Sequence, residues 1–216
     1  MPRRESSSTR RAPTLVERRS FLRRAGVGVA VVAVGPVLVP VDRFLPAAGA
    51  QTGGDPALAA FAESVELVAV AAYEAGVELL SDDLVPVLQT FIGHHEEHAE
   101  IWAEVAGEAA TGEPNAALLV ALTPAIEAFD SQGDVLRFAR DLENQLSVTC
   151  GYLLTVLQDA DAVAAVATIH PVESSHAATL SYELAEGPAA WFPFGALESA
   201  DVALGLDPAA FPVEPS

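Results

Sequence analysis

From residue 51 onward, apolar positions recur at intervals of three and four rather than two, and Gly and Pro interrupt the pattern at helix-sized distances. The expected fold class is therefore all-α. Four long segments stand out, about Pro56 to Leu80, Asp83 to Gly107, Ser131 to Gln158 and Asp161 to Glu186, the last closed by Gly187-Pro188. Asp55 reads as the N-cap of the first, with Pro56 at the first helical position, and Ser81-Asp82-Asp83 as the cap of the second. About two dozen residues separate the second and third segments, including the apolar stretch Ala116 to Phe129. So long a connection predicts a crossover that returns the chain to the other end of a four-helix bundle. The tail from residue 188, with Pro193, Pro208, Pro212 and Pro215, reads as irregular and packed outside the bundle through Trp191, Phe192 and Phe194.

The second segment carries the clearest chemical signal. Leu84, Leu88, Phe91, His95, His98, Trp102 and Val105 follow one another by alternating steps of four and three, the seam that faces a bundle core. Two imidazoles one turn apart on a core face make a ready metal-binding pair. His94 falls ~100° off that seam, at 3.6 residues per turn. In the fourth segment, Glu173 and His176 have the i, i+3 spacing that puts both on one face, with His170 one turn earlier beside Pro171, a residue expected to kink the helix or mark a shifted start. Glu66 sits among Val65, Leu67, Val68, Ala69 and Val70, and Glu143 lies between Leu142 and Leu146 near the inward face. A carboxylate buried there needs a partner, and a metal ion supplies one.

Composition restricts the chemistry further. A single cysteine, Cys150, excludes a disulfide framework and a thiolate cluster, so any metal site rests on carboxylates and the five histidines. Thirty acidic against 11 basic side chains, a net charge of −19, argue against nucleic acid as a partner. The charge is unevenly placed: residues 1–50 hold nine arginines and three acids, a local +6, which leaves −25 on the remainder with only Arg137 and Arg140 as basic residues. Arg18-Arg19-Ser20-Phe21-Leu22-Arg23-Arg24, then the apolar run Ala25 to Val41 and Ala48-Gly49-Ala50, have the order of a secretory signal. The arginine pair followed by Ser-Phe-Leu resembles the twin-arginine export signal, whose cargo crosses the membrane folded. Three regions are thus expected: a signal over 1–50 cleaved after Ala50, a bundle over 51–187 and a tail over 188–216. The alternative to cleavage is a membrane anchor formed by the same apolar run; either way the expected location is extracytoplasmic.

The spacings disclose an internal repeat. Glu66 precedes His95 by 29 residues and Glu143 precedes Glu173 by 30, and Asp82 and Asp159 each follow the leading glutamate by 16. Two similar helix pairs, each with one carboxylate and one paired motif, meet with their ligands at the centre. This arrangement resembles the ferritin-like superfamily, in particular exported bacterial ferritin-like domain proteins. The resemblance implies a ferritin-like four-helix bundle with metal ligands Glu66, His98, Glu143, Glu173 and His176, to which the inward seam position adds His95, and places Tyr73 beside the site. It implies iron as the metal, one or two ions, with zinc, manganese or copper as alternatives. His95 departs from the family pattern, in which that position is a bridging glutamate.

The function so implied is that of an exported metal-binding protein handling iron or a related transition metal with oxygen or peroxide, a di-metal oxidoreductase being one form of it; the alternative is a non-catalytic bundle with a degenerate site in a structural or stress-protection role. No GxSxG elbow or HExxH helix supports a hydrolase, and Cys150 reads as a small core residue. Most of the acids must lie on the surface, an arrangement suited to a salty medium that screens their repulsion. The unfolding midpoint is expected to rise with added sodium chloride; a midpoint indifferent to salt would count against that adaptation.

Overall fold

A computed structural model of the chain describes residues 54–187 and 205–213. The expected export signal at 1–50 and the tail aromatics Trp191, Phe192 and Phe194 lie outside those residues. Five α-helices and no strand occur among the described residues: α1 (Gly54–Gly76), α2 (Val85–Ala106), α3 (Ala116–Glu127), α4 (Gln132–Val156) and α5 (Ala160–Glu183). The fold is all-α, a four-helix bundle of α1, α2, α4 and α5 with α3 in the crossover. Helix α1 packs along α2 and α4 along α5, and the two hairpins meet through α1–α4 and α2–α5.

Hydrogen bonds across the loops trace the crossover. Glu63 of α1 accepts from the backbone N–H groups of Thr111 and Gly112, each at 2.9 Å, so the connection starts beside the first half of α1. Asn115 then caps α3 by accepting from Leu118 N–H, while its amide donates to Ser64 Oγ and to the Phe211 carbonyl. The far end of the crossover brings Phe129 beside Gly76, at the end of α1. Ser81 N–H donates to Gln132 Oε1 at 2.8 Å, which ties the start of α4 to the same end. The chain has therefore travelled back along the bundle, and α4 runs antiparallel to α1.

Local chemistry sets the helix ends, in places differently from the sequence expectation. Ser131 and Asp159 cap α4 and α5 through their side chains. Asp55 is not an N-cap; it lies in the first turn of α1, and its carboxylate accepts from the backbone N–H groups of Gln158 and Asp159, at 2.8 and 2.5 Å. Nor does Ser81-Asp82-Asp83 cap α2 through a side chain: Leu84 is the N-cap residue, and the Ser81 carbonyl accepts from Leu84 and Val85 N–H. Pro171 neither shifts the start of α5 nor ends it, since that helix is continuous from Ala160 to Glu183. Two hydroxyls bond carbonyls in that region, Ser174 to His170 and Ser175 to Pro171.

The core is layered. One apolar cluster includes Val68, Tyr73, Leu88, Phe91, Leu142 and Leu180, and a second includes Leu58, Trp102, Leu153, Val166 and Ile169. Side chains of this size contribute about 1.5–3 kcal/mol each on full burial. On α2 and α5, His95 and His98, and Glu173 and His176, are buried between the stretches that supply the two clusters; on α1 and α4, Glu66 and Glu143 are buried among residues of the first cluster, Val65, Val68, Leu142 and Leu146. Helix α1 is long and apolar enough to cross a membrane, but 78% of that window is buried inside the bundle, as a core helix requires. The segment 205–213 adds Leu206 and Phe211 to the first cluster, and Leu206 N–H donates to Thr149 Oγ1 at 2.7 Å.

Gly76 marks the tightest approach of α1 to α4. A Cβ there would lie 2.7 Å from Val135 Cγ1, whereas one on Gly93, inside α2, meets nothing within 4 Å. Gly76→Ala is expected to lower stability by about 1–2 kcal/mol through overpacking. Gly93→Ala is expected to raise it by about 0.5–1 kcal/mol through helix propensity. Denaturant midpoints of the two variants check the contrast.

Candidate metal centre

Each of the four long helices places its polar residues at the same height. Glu66, His95, Glu143 and Glu173 are 0–2% exposed, and His98 and His176 are also buried. All six sequence-predicted site residues thus come together. They form two overlapping groups of four, Glu66–His95–His98–Glu173 and His95–Glu143–Glu173–His176, within each of which the ligand atoms lie within 4.8 Å of one another.

His95 stands at the junction. Its Nδ1 is 2.7 Å from Glu66 Oε2, its Nε2 is 3.0 Å from Glu143 Oε1, and Glu173 Oε1 is 3.9 Å from Nδ1. His98 Nδ1 lies 2.7 Å from Glu173 Oε1 and 3.7 Å from Glu66 Oε2, and His176 Nδ1 lies 3.3 Å from Glu143 Oε1. Tyr73 donates to Glu143 Oε1 at 2.5 Å, which fixes that carboxylate from below.

The donor set fits a cation. Glu143 Oε2, both oxygens of Glu173, His98 Nδ1 and His176 Nδ1 are buried without an aligned hydrogen bond among the described residues. Native proteins rarely tolerate so many unpaired buried groups in one place, because each forfeits its hydration. Ligands held about 2.0–2.2 Å from one ion lie roughly 3 Å apart when adjacent, the range of the close pairs here.

The electrostatics show how strained the cluster is with only its own charges. Burial pushes Glu66 and Glu143 upward, but the neighbouring imidazoles outweigh it, holding Glu66 below and Glu143 well below the usual carboxylate value. Glu173 has no such compensation: burial, and then the charges of Glu66 and Glu143, push it well above. Burial lowers His95, yet Glu143 and Glu66 reverse this and bring it to about 10. A bound cation would offset the charge of these carboxylates.

His94 joins the site from outside the predicted seam. Its Nδ1 is 2.9 Å from His176 Nε2, and the two rings are parallel to within 3°. Phe91 stacks on a face of the His176 ring, with centroids 3.9 Å apart. The available signal was position: a residue next to a seam histidine borders the core face and reaches the neighbouring helix. His170, by contrast, is half-buried and belongs to neither ligand group; burial alone lowers its pKa.

The fold and this site define a class of protein: a helical bundle with a carboxylate–histidine cluster, suited to metal, at its mid-height. A family model described as the ferritin-like domain matches residues 54–186, and the chain belongs to that family. Neither a curated protein nor a solved structure matches the chain.

Cys150 packs in the second apolar cluster and is 4% exposed. Burial, reinforced by Glu66 and Glu143, pushes its thiol well above the usual cysteine value, so it stays protonated and a poor nucleophile. Iodoacetamide at pH 8 is expected to spare Cys150 in the folded protein and alkylate it in denaturant, as read by mass spectrometry.

Proposed function

We propose that this chain is an exported metal-binding protein whose buried centre handles iron, or a related transition metal, with oxygen or peroxide. The observation that carries the reading is the convergence of six donors from four helices, five of whose polar atoms have no aligned hydrogen bond. Glu66, His98, Glu143 and His176 each serve one side of the centre, and His95 and Glu173 serve both. Iron bound there supplies reversible one-electron oxidation toward oxygen or peroxide.

The protein residues supply position and environment. Tyr73 holds Glu143 through its hydroxyl. His176 can offer Nδ1 to an ion only with its proton on Nε2, and His94 Nδ1 is placed to accept that proton's hydrogen bond. The two apolar layers restrict water around the cluster, which strengthens every charge interaction inside it. Export is supported by the arginine pair, the apolar run and the Ala-Gly-Ala site in residues 1–50. Passage in the folded state lets a metal be carried within the bundle.

A second reading, a non-catalytic bundle, is favoured by His95 itself. As a cation between Glu66 and Glu143 it pairs with both buried carboxylates and offsets one of their two charges without a metal. Restoring a carboxylate with His95→Glu separates the readings: peroxide-dependent iron oxidation gained by the variant and absent in the parent identifies a degenerate site.

Protein matured through its own export route is expected to contain transition metal by elemental analysis, and to lose it in His98→Ala and Glu173→Ala. His94→Leu is expected to weaken metal binding about 10–100-fold, with recovery in His94→Gln, which keeps an acceptor. The absence of transition metal, together with unchanged stability in His98→Ala and Glu173→Ala, would overturn the proposal.

A further inference from the structure

The position that departs from the family pattern is the one whose geometry says most. His95 is the side chain in the cluster that faces a glutamate from a different helix at each of two donor atoms: Nδ1 at 2.7 Å from Glu66 of α1, and Nε2 at 3.0 Å from Glu143 of α4. The ring is fully buried, and its edges are set against Tyr73, His98 and His176 at centroid distances of 5.4, 6.0 and 5.4 Å, with interplanar angles of 69–90°. Packing therefore resists a swing that would turn both nitrogens to one side.

We propose that His95 bridges two metal ions, binding one through each ring nitrogen, so that the centre is an imidazole-spaced pair. The inference rests on the metal-binding reading above. The ion at Nδ1 takes Glu66, His98 and Glu173 as its other protein ligands, and the ion at Nε2 takes Glu143, His176 and Glu173. For both nitrogens to bind, both ring N–H protons of the cationic His95, and any proton held by Glu173, leave to solvent, as cations deprotonate other ligands they hold. The charges then match: three glutamates and one imidazolate carry −4 against +4 for two divalent ions.

The bridge sets the spacing. Metal–nitrogen distances of about 2.0–2.1 Å on opposite sides of one ring separate the ions by roughly 6 Å, against about 3.5–4 Å in compact two-metal sites. An imidazole bridge also selects ions that favour nitrogen ligands, such as zinc and copper, over those that favour an all-oxygen shell. His95 is in this sense a determinant of metal specificity as well as of geometry.

Zinc(II) is the probe, since it is redox-inert and can be located by anomalous diffraction. The full chain, stripped with chelator and titrated with zinc, is expected to bind two ions per chain about 6 Å apart with His95 between them. His95→Gln, which cannot bridge, is expected to retain one ion and bind a second at least tenfold more weakly. Two ions within about 4 Å of each other, a single ion in the parent, or two equally tight ions in His95→Gln would overturn the bridge while leaving metal binding intact. No zinc bound at all would overturn both readings. The location of zinc in the parent protein needs no variant, so a failure of His95→Gln to fold leaves the test decisive.

Discussion

Three carboxylates and three imidazoles at the mid-height of an otherwise apolar bundle are the constraint around which the molecule is built. Taking charges out of water costs several kcal/mol per ion, and only close, opposite charges recover it. Every long helix contributes to that layer, so the cost is shared and the four helices are held to one mutual register. Above and below it, the clusters around Leu88 and Trp102 supply the hydrophobic stabilisation that lets the layer exist. A one-turn slide of any helix, about 5.4 Å, would carry its donor out of the layer and into an apolar cluster.

The connections serve the same register. Short links between α1 and α2, and between α4 and α5, make two antiparallel hairpins, but joining them with the repeat in place requires the chain to return to its starting end. The crossover does so along α1, anchored by Glu63 and Ser64 at one end and packed near Gly76 at the other. Asn115 ties three separate parts of the chain together, since it bonds α1, begins α3 and holds the carbonyl of Phe211. The segment 205–213 is thereby fastened to the crossover through Phe211 and to α4 through Leu206.

Within the layer, an imidazole at position 95 gives the central group a different charge and reach from those of a carboxylate. A carboxylate offers two oxygens on one side of a single carbon, whereas imidazole offers two nitrogens aimed apart across a ring. In the metal-free protein this lets His95 hold Glu66 and Glu143 together while Glu173 is left with raised affinity for a proton. The same ring thus joins α1 to α4 through Glu66 and Glu143 and presents a nitrogen on each of two sides of the cluster.

The helices, the crossover and the six donors were legible because helical periodicity decides which residues share a face, and apolar neighbours decide which faces are buried. That rule points His95 and His98 inward and puts Glu173 and His176 on one face, while the family resemblance adds their grouping with Glu66 and Glu143. The rule fails where an atom's partner comes from another element. Asp55 has the composition of a helix cap, yet the return of α4 places the Gln158 and Asp159 amides beside it. His94 lies off the seam, yet the α2–α5 approach brings His176 within 2.9 Å. Pro171 reads as a kink or a shifted start, yet α5 continues through it from Ala160 to Glu183. Periodicity specifies a direction from one helix axis; distances, ring orientations and hydrogen-bond partners arise only when several axes are fixed together, because they depend on the register and rotation of each helix against the others.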